Sequence, residues 1–527
     1  MKIKLLFLAF MLPFLLSAQS TVPAWISTHV DSGMQAIVLA LEVEDDGSSY
    51  TLSGIRDTNQ AASCENFNIL TRYDAQGQLI WHDTLCLGHN QWNSEMLLDP
   101  YGFLYIAGVS EAVPYNGEFI VTRISPNGGI VWRNTYVCPI AFLNTLYDIH
   151  VDGTGNLYLS GESPSINEAV MMKCDTAGAL LWTTAYDHLV GPYDRGWCIT
   201  SDSYGNAYVG ISSMDSANNI EFVIAKYSVT GQFLWENRFA QFMFHTPLQI
   251  EVYNDTAIIV TGIGVDTSWH ANVLTAKYDS AGNMKWWRDF DTDAYYGMPW
   301  ARNDEPQDML VTPSGKIAIT VEAQNSGMPH WINMMYDNSG NLLWVAIDSN
   351  VCFPTTIRQD ADGHIVAMGT ENDMAGLAGI GVIKYDTLGN LLWHTIADTA
   401  GGAFPRMDLD SVGNIYCAGY SRDFWPSPTY YFTTFKFDYT VHVNEAGSDN
   451  PFVVYPNPAA GAVTFSFDDP SGARVVEIMD LSGRMVWQIT TSATTVLVNC
   501  EEFSGGLYIY TVRENGSVTS GKLVIEH

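Results

Sequence analysis

Apolar and polar residues alternate through most of the chain in short stretches that are separated by turn signals. In one recurring stretch, an apolar segment runs into a turn ending in Gly and then into a second apolar segment that closes on Trp, as in residues 382–393. Glycine supplies the positive φ that a tight hairpin needs. A second recurring stretch, exemplified by residues 410–419, alternates with the first. The pattern predicts two hairpins per repeat, which together make a four-stranded antiparallel sheet.

The closing tryptophans set the period of the repeat. They recur 49 to 58 residues apart, at Trp81, Trp132, Trp182, Trp235, Trp286, Trp344 and Trp393. A period of this size is typical of propellers and solenoids. With no helical periodicity between the hairpins, we expect an all-β fold in which four-stranded blades close into a ring.

The two ends of the repeat region are incomplete in complementary ways. Eight copies of the second stretch are followed by only seven complete Trp hairpins, because residues 435–438 lack the following Gly and Trp. Residues 25–30 read as an outer strand without its own sheet. We therefore expect the N-terminal strand to complete the last blade of an eight-bladed β-propeller, which removes exposed sheet edges. Seven blades is the alternative if residues 439–443 form an outer strand of their own.

Length and charge narrow the possible partners. A chain of 527 residues with 47% hydrophobic residues and 44 glycines suits many short strands joined by turns. The formal net charge of −33 argues against nucleic acid and anionic membrane surfaces, because both require basic footprints. After the N-terminus, no stretch reads as a transmembrane segment.

Residues 1–18 have the order of a secretory signal peptide. Two lysines precede an apolar run from Leu5 to Leu16, which is too short to span a membrane, and we expect cleavage after Ala18. Export permits disulfides. Cys64 and Cys86 lie almost symmetrically about the turn at 74–77, so they fit either a cross-strand disulfide or two buried thiols.

A second domain follows the repeats. The propeller is assigned to residues 19–443, a polar, turn-prone linker to 444–451, and a small Ig-like β-sandwich to 452–527, where alternation resumes. Four motifs in this domain contain residues with structural roles. The prolines fix an extended strand at the start of the domain, residues 480–483 are expected to form a hairpin turn, and a glycine permits a bend. Their residues are Tyr455, Pro456, Asn457, Pro458, Asp480, Gly483, Arg484, Gly506, Tyr508 and Lys522.

In this order, the four motifs resemble the type IX secretion system C-terminal sorting domain (type A) of Bacteroidetes. The resemblance implies export through the outer-membrane translocon and removal of the domain by a sortase. The mature protein would then be secreted or attached to the outer face of the outer membrane. The repeats of residues 19–443 resemble the bacterial repeat propellers carried by such cargo, which implies the fold more than an activity.

Tests for chemistry in the repeats favour structural roles. The recurring tryptophans would stack sugars or pack between blades, and their fixed place in each blade favours packing. The Asp-rich turns, such as residues 360–363, lack the alternating acidic spacing of a calcium loop and favour turn formation. Sialidase repeats differ in spacing. Quinoprotein repeats carry a Thr before the turn Gly of the Trp hairpin, which occurs here only at Thr230-Gly231, and many of those enzymes have an adjacent Cys pair that this sequence lacks. No catalytic, metal or cofactor motif is present, so we expect none of these.

The candidate ligand-binding residues lie on non-repeating loops, where function in propellers usually sits. By strand order these loops share one end of the ring, and their aromatic and cationic residues are Trp92, Trp197, Trp300, Arg302, Arg406 and Trp425. They would stack sugars or hold a peptide, with Arg302 or Arg406 pairing carboxylates. Alternatively, they plug the ring.

The functional hypothesis is non-catalytic binding of a glycan or protein at the cell surface. A secreted enzyme acting on polysaccharide or peptide is one alternative, and a structural surface component is another. An enzyme is expected to hold clustered carboxylates with perturbed pKa values in the channel, whereas a binding module is expected to show an aromatic and polar face.

Overall fold

The computed structural model describes most of the chain from residue 23 to residue 525. The described ranges are 23–32, 34–57, 66–85, 95–113, 116–136, 145–163, 167–186, 193–242, 244–267, 269–292, 301–325, 328–348, 351–372, 378–397, 405–423, 429–437, 452–455, 461–467, 474–480, 484–500, 503–514 and 517–525. Two compact units divide them, one within Ala18–Tyr439 and the other within Thr440–His527. All regular elements in these ranges are β-strands, and no helix there is long and apolar enough to cross a membrane.

The first unit consists of antiparallel sheets of four strands, numbered here in chain order. Sheets 1 to 4 contain β2 (Met34–Val43), β3 (Ser49–Asp57), β4 (Asn66–Tyr73) and β5 (Leu79–Leu85); β6 (Glu95–Leu98), β7 (Leu104–Val113), β8 (Asn116–Ile124) and β9 (Ile130–Tyr136); β10 (Thr145–Val151), β11 (Leu157–Ser163), β12 (Glu168–Cys174) and β13 (Leu180–Tyr186); and β14 (Asp194–Ser201), β15 (Ala207–Met214), β16 (Ile220–Tyr227) and β17 (Phe233–Phe239).

The later sheets follow the same order. Sheets 5 to 8 contain β18 (Phe244–Tyr253), β19 (Ala257–Val265), β20 (Ala271–Asp279) and β21 (Met284–Phe290); β22 (Ala301–Val311), β23 (Ile317–Asn325), β24 (Met328–Tyr336) and β25 (Leu342–Asp348); β26 (Val351–Gln359), β27 (Ile365–Asn372), β28 (Ala378–Tyr385) and β29 (Leu391–Ala397); and β30 (Arg406–Leu409), β31 (Ile415–Asp423) and β32 (Thr429–Phe437) with β1 (Trp25–Ser32). A single parallel bridge between Ala271 and Asn303 joins sheets 5 and 6.

Sheet 8 takes strands from both ends of the unit. β1 pairs antiparallel with β32, from Trp25 opposite Lys436 to Ser32 opposite Thr429, which confirms the predicted pairing of the N-terminal strand. The first strand of each sheet contacts the first strand of the next, and β30 in turn contacts β2. The repeated four-stranded sheets are consistent with a propeller-like architecture.

In five of the sheets an aspartate holds the turn between the first and second strands, as the repeat predicts. Asp202 is typical: its Oδ1 accepts the backbone N–H groups of Tyr204 and Asn206, at 3.1 and 2.9 Å. Its Oδ2 accepts the Asn206 amide and the Tyr208 hydroxyl. Asp360 accepts the N–H groups two and four residues on in the same way. The side chain thus accepts hydrogen bonds from backbone N–H groups that have no backbone acceptor in a tight turn.

The recurring tryptophans pack between neighbouring sheets, which confirms the packing interpretation. Trp132 of sheet 2 donates Nε1–H to the Thr176 carbonyl of sheet 3 at 2.9 Å, and Trp182 does the same to Val229 of sheet 4 at 3.1 Å. The ring also lies against the turn glycine: a Cβ at Gly178 would fall 2.8 Å from Cδ2 of Trp132. Because Gly178 also has a φ of +81°, this position requires glycine for two reasons.

The second unit contains two sheets around one core. One sheet comprises β33 (Phe452–Tyr455), β34 (Ala462–Phe467) and β37 (Thr495–Asn499), and the other β35 (Arg474–Asp480), β36 (Met485–Thr491), β38 (Gly506–Glu514) and β39 (Ser517–Ile525). Burial alternates along β34, so Val463, Phe465 and Phe467 face a core that is shared with Val476 and Ile478. Arg474 is buried as well, with its guanidinium carbon 4.1 Å from the centroid of the Phe467 ring.

The described sorting residues lie in the strands of the second unit or directly beside them. Gly506 opens β38 with a φ of +148°, which only glycine adopts readily, and the buried Tyr508 donates its hydroxyl to the Ser504 carbonyl at 2.9 Å. Arg484 is exposed just before β36. Three further positions fall within strands and four lie outside the described residues: Tyr455, Asp480 and Lys522 are in β33, β35 and β39, and Pro456, Asn457, Pro458 and Gly483 are outside.

The cysteines that the structure describes in full are buried free thiols. They are Cys174, Cys198, Cys417 and Cys500. Burial raises the pKa of Cys174 to about 11, so the thiol stays protonated at neutral pH. Cys64 and Cys86 both lie outside the described residues, so the choice between a disulfide and two thiols stays a prediction.

Candidate functional site

β-Bulges interrupt the first strands of several sheets at similar positions. The unpaired residue is Tyr147 in β10 and Trp197 in β14, and comparable shifts occur in β2, β18, β22 and β26. A bulge bends the strand and redirects the side chains around it, and bulges are common beside functional sites. In sheets 3 and 6 the residue that follows the bulge is an aspartate, Asp148 and Asp308.

Charged side chains concentrate on these first strands. We call the group the charge cluster; it comprises six carboxylates and two guanidinium groups, those of Glu42, Glu95, Asp148, Glu251, Asp308, Asp408, Arg358 and Arg406. Electrostatic interaction joins Glu42 to Asp408 and Arg358, and Arg406 to Glu95. Because the first strands of successive sheets contact one another, the cluster lies where the sheets converge.

Five of the carboxylates bind the backbone of the neighbouring sheet. Asp148 accepts the Ile199 N–H at 2.7 Å, and Asp308 accepts the Ile357 N–H at 2.8 Å. Asp408 of sheet 8 accepts the N–H of Val43 in sheet 1. Glu42 accepts from Leu98 and Glu251 from Val311 in the same manner. We call these five residues, Glu42, Asp148, Glu251, Asp308 and Asp408, the sheet-linking carboxylates.

Asp308 makes the most contacts of the group. Its Oδ2 accepts Nη1 of Arg358 at 2.7 Å in addition to the Ile357 N–H, and its Oδ1 accepts the Gln249 amide at 2.7 Å. Arg358 lies 3.8 Å from the carboxylate of Asp408 as well. One guanidinium therefore pairs with carboxylates from the sheets on either side of it, and this balances part of the negative charge.

Burial raises the pKa of most acids in the cluster. It raises the pKa of Asp148 to about 8 and that of Glu251 to about 7, with the Asp308 charge adding to the second shift. Burial and the Asp408 carboxylate raise the pKa of Glu42 well above its usual value. At pH 7 the Asp148 carboxyl group is therefore mostly protonated and that of Glu251 partly so, and a protonated carboxyl can donate as well as accept hydrogen bonds.

An aromatic group adjoins the bulges of sheets 3 and 4. We call it the Trp197 patch; its half-buried residues are Tyr147, Glu162, Tyr193, Arg195 and Trp197. The rings of Tyr147 and Trp197 have centroids 4.4 Å apart at an angle of 35°. The Arg195 guanidinium lies 4.4 Å from the Tyr193 centroid and pairs with Glu162. The patch offers aromatic faces beside hydrogen-bonding groups of both charges.

The structure places the predicted ligand-binding residues in different environments. Trp197 is the centre of its patch and also donates Nε1–H to Ser212 at 2.9 Å. Arg406 belongs to the charge cluster, where Nε donates to the Leu39 carbonyl at 2.8 Å and burial lowers its pKa. Arg302 lies in β22, and three positions, Trp92, Trp300 and Trp425, lie outside the described residues. Among the described residues Trp197 and Arg406 belong to separate groups.

Sequence reasoning missed the charge cluster. Its signal is a carboxylate inside an otherwise apolar first strand, as at Asp148 within Leu-Tyr-Asp-Ile. Such a residue reads as the polar half of an ordinary alternation, and only the neighbouring sheet supplies its partner.

Comparison with known proteins identifies the second unit. Residues 453–526 match the family described as the secretion system C-terminal sorting domain. The prediction of a type IX sorting domain is thereby supported, and with it secretion through the type IX system and contact with its machinery. No curated protein matches the chain.

Solved structures resemble the chain only distantly. A protein of unknown function from Bacteroides caccae is 13% identical, with a TM-score of 0.32 over 56% of this chain and 93% of its own. A eukaryotic initiation factor is 10% identical, with a TM-score of 0.40 over 87% and 89%. A puromycin hydrolase mutant is 13% identical, with a TM-score of 0.42 over 73% and 58%. Likeness at this level carries no argument about activity.

Proposed function

We propose that the protein is a non-catalytic glycan-binding β-propeller that the type IX system exports to the outside of the outer membrane. The sorting domain supports export, after which a sortase would remove the domain and leave the mature protein released or surface-attached. The signal peptide at residues 1–18 would direct the first step, across the inner membrane. A Bacteroidetes source is the natural setting for this route.

We infer that the first unit has eight blades, one for each sheet, and that the second is an Ig-like sandwich. The contact of β30 with β2 and the pairing of β1 with β32 support a closed ring of eight. The shared core of the two small sheets supports the sandwich. The domain limits proposed from the sequence, 19–443 and 452–527, are close to the compact units.

The Trp197 patch carries the binding proposal. Sugars present apolar C–H faces that pack on aromatic rings and hydroxyl groups that bind charged side chains, and both complements occur together here. Tyr147 and Trp197 hold each other at 4.4 Å and remain half-buried, so part of each ring stays open. Pre-positioned rings lose little conformational entropy when a ligand binds.

A glycan array probed with the mature chain tests this proposal. We expect binding to a defined set of glycans and at least ~10-fold weaker binding after Trp197→Ala, since one aromatic contact contributes about 1–2 kcal/mol. The matched control is Tyr204→Ala, because Tyr204 is exposed in the turn at the other end of the same strand, β14. Binding to no glycan, or equal binding by Trp197→Ala, would overturn the proposal, and capture of a protein instead would favour the protein-binding alternative.

The charge cluster favours a second candidate, a secreted enzyme acting on polysaccharide or peptide. Raised pKa values among clustered carboxylates are typical of acid–base catalysis. Five of the six carboxylates already bind backbone groups, which leaves Glu95, whose pKa burial raises and Arg406 lowers. Hydrolysis of an array glycan by the wild type but not by Glu95→Gln would establish the enzyme in place of the binding module.

A further inference from the structure

The interface between sheets 6 and 7 departs from the repeat at two positions. Four residues after the closing Trp, the earlier sheets place a buried apolar side chain, and the corresponding residue of sheet 6 is Asp348. The buried residues are Leu85, Tyr136, Tyr186, Phe239 and Phe290. Five residues before the outer turn, the other sheets carry a larger side chain where sheet 7 has Gly381. Those residues are Ile69, Ile120, Val170, Val223, Leu274, Ile332 and Thr433.

Both departures make room for polar groups. Glu371 of β27 reaches across Gly381 to His394 of β29, and Oε1 lies 2.6 Å from the His394 Nε2. A Cβ at residue 381 would lie 2.5 Å from this oxygen, so the side chain found in the other sheets would exclude the contact. Asp348 completes the group, because one ligand atom from each of Asp348, Glu371 and His394 lies within 4.8 Å of the others.

One carboxylate oxygen of the group, Oε2 of Glu371, is buried without a hydrogen-bond partner among the described residues. The side chain of Glu371 is 1% exposed. A buried carboxylate oxygen without a partner destabilises a folded protein. The ion pair with His394 accounts for Oε1 only. A cation bound to Oε2 would remove this destabilisation.

We propose that Asp348, Glu371 and His394 bind a divalent transition-metal ion, of which zinc is the representative. Zinc accepts both carboxylate and imidazole ligands, and the imidazole favours a transition metal over calcium and magnesium, which favour oxygen ligands alone. Three protein ligands leave at least one position for water. The site sits between two sheets, so the ion would link sheet 6 to sheet 7 in addition to the hydrogen bonds described above.

Zinc titration of the metal-free full chain by isothermal calorimetry tests the site. We expect one saturable site and an increase in melting temperature when Zn²⁺ is present. Glu371→Gln and His394→Gln are each expected to weaken binding at least ~10-fold, because each removes a ligand while keeping the shape. Gly381→Ala is expected to weaken it as well, since the added Cβ displaces Glu371 without changing any ligand.

A matched control separates this site from other histidines. His364 lies 3.3 Å from Asp360 in the same sheet, and His364→Gln is expected to leave zinc affinity unchanged. X-ray absorption at the zinc edge is expected to show nitrogen and oxygen neighbours without sulfur, which excludes the cysteines. Absence of a saturable site, a sulfur ligand, or full affinity in both Glu371→Gln and His394→Gln would overturn the proposal.

Discussion

The carboxylate of Asp408 accepts a hydrogen bond from the backbone N–H of Val43 at 3.0 Å, across 365 residues of sequence. The bond joins the last sheet of the first unit to its first sheet. Equivalent bonds from Glu42, Asp148, Glu251 and Asp308 join other neighbours. A carboxyl oxygen accepts a backbone N–H in either protonation state, so these side chains hold the first strands of neighbouring sheets together.

Loss of a sheet-linking carboxylate should destabilise the unit. We expect Asp308→Ala to lower the free energy of unfolding by about 2–3 kcal/mol, because it leaves the Ile357 N–H without an acceptor and removes the ion pair with Arg358. Asp362→Ala, an exposed turn position, is the control and should change stability by less than ~0.5 kcal/mol. Thermal and urea unfolding measure both, and equal stability of the two variants would contradict the role assigned to Asp308.

The turn glycines under the tryptophans should resist substitution. Gly178→Ala is expected to cost about 2 kcal/mol or more, since its Cβ meets the Trp132 ring and its φ is +81°. Gly153→Ala serves as the matched change, because no atom lies within 4 Å of a Cβ built there. Differential scanning calorimetry should show a lower melting temperature for the first variant alone. A similar loss in both would show that packing on Trp132 is not the cause.

Asp148 should make stability fall as pH rises. Its pKa is about 8 in the folded chain and about 4 in the unfolded chain. Between these values the unfolded chain has released the proton and the folded chain retains it, so the free energy of unfolding decreases with increasing pH. Asp148→Asn keeps an acceptor for the Ile199 N–H but cannot titrate. The variant should therefore gain stability relative to the wild type from pH 5 to pH 8, and parallel curves would refute the shift.

His150 should act with the opposite sign on the acid side. Burial lowers its pKa to about 4, against about 6.5 when unfolded. As pH falls through this window the unfolded chain binds a proton that the folded chain does not, so stability decreases. His150→Gln retains a partner for Ser201, which lies 3.0 Å from Nε2, and should flatten the profile between pH 6.5 and 4. An unchanged slope in His150→Gln over this window would contradict the lowered pKa.

Removal of the second unit should block export without unfolding the first. The two units are compact separately, and the sorting domain lies wholly within the second. In a host with type IX secretion, the chain without residues 440–527 should accumulate in the periplasm. Its melting temperature should match that of the first unit within the full chain. Appearance of the truncated chain in the medium would show that export relies on another signal.

Local turn chemistry explains how much of the fold the sequence predicts. The Asp202 turn is made by residues within a few positions of one another, and the glycine beneath Trp132 lies about one repeat after it. Both features are therefore visible in the sequence. The strand at residues 25–32 is predictable because the repeat lacks an outer strand at its other end. Export follows from motifs in the second unit that do not depend on the first.

The candidate site is less visible because its contacts run between sheets. The bond from Glu42 to Leu98 depends on which sheet lies beside which and on where a bulge shifts the register, and alternation does not report either. Asp348 and Gly381 are visible as departures from the repeat. The meeting of Asp348 with Glu371 requires sheet 6 to pack beside sheet 7. Arg474 in the second core likewise reads as a surface residue until Phe467 is seen beneath it.

The pairing of β1 with β32 places the first and last strands of the first unit side by side. Trp25 lies opposite Lys436, and the Ala24 N–H bonds to the Lys436 carbonyl at 2.7 Å. A circularly permuted chain, joined from 437 to 24 through a short added turn and reopened at a loop between two other sheets, would therefore keep each of these pairings. In the natural chain order, sheet 8 is completed only when strands from both ends have been made. Until β32 has been synthesised, β1 therefore has no partner strand in this sheet.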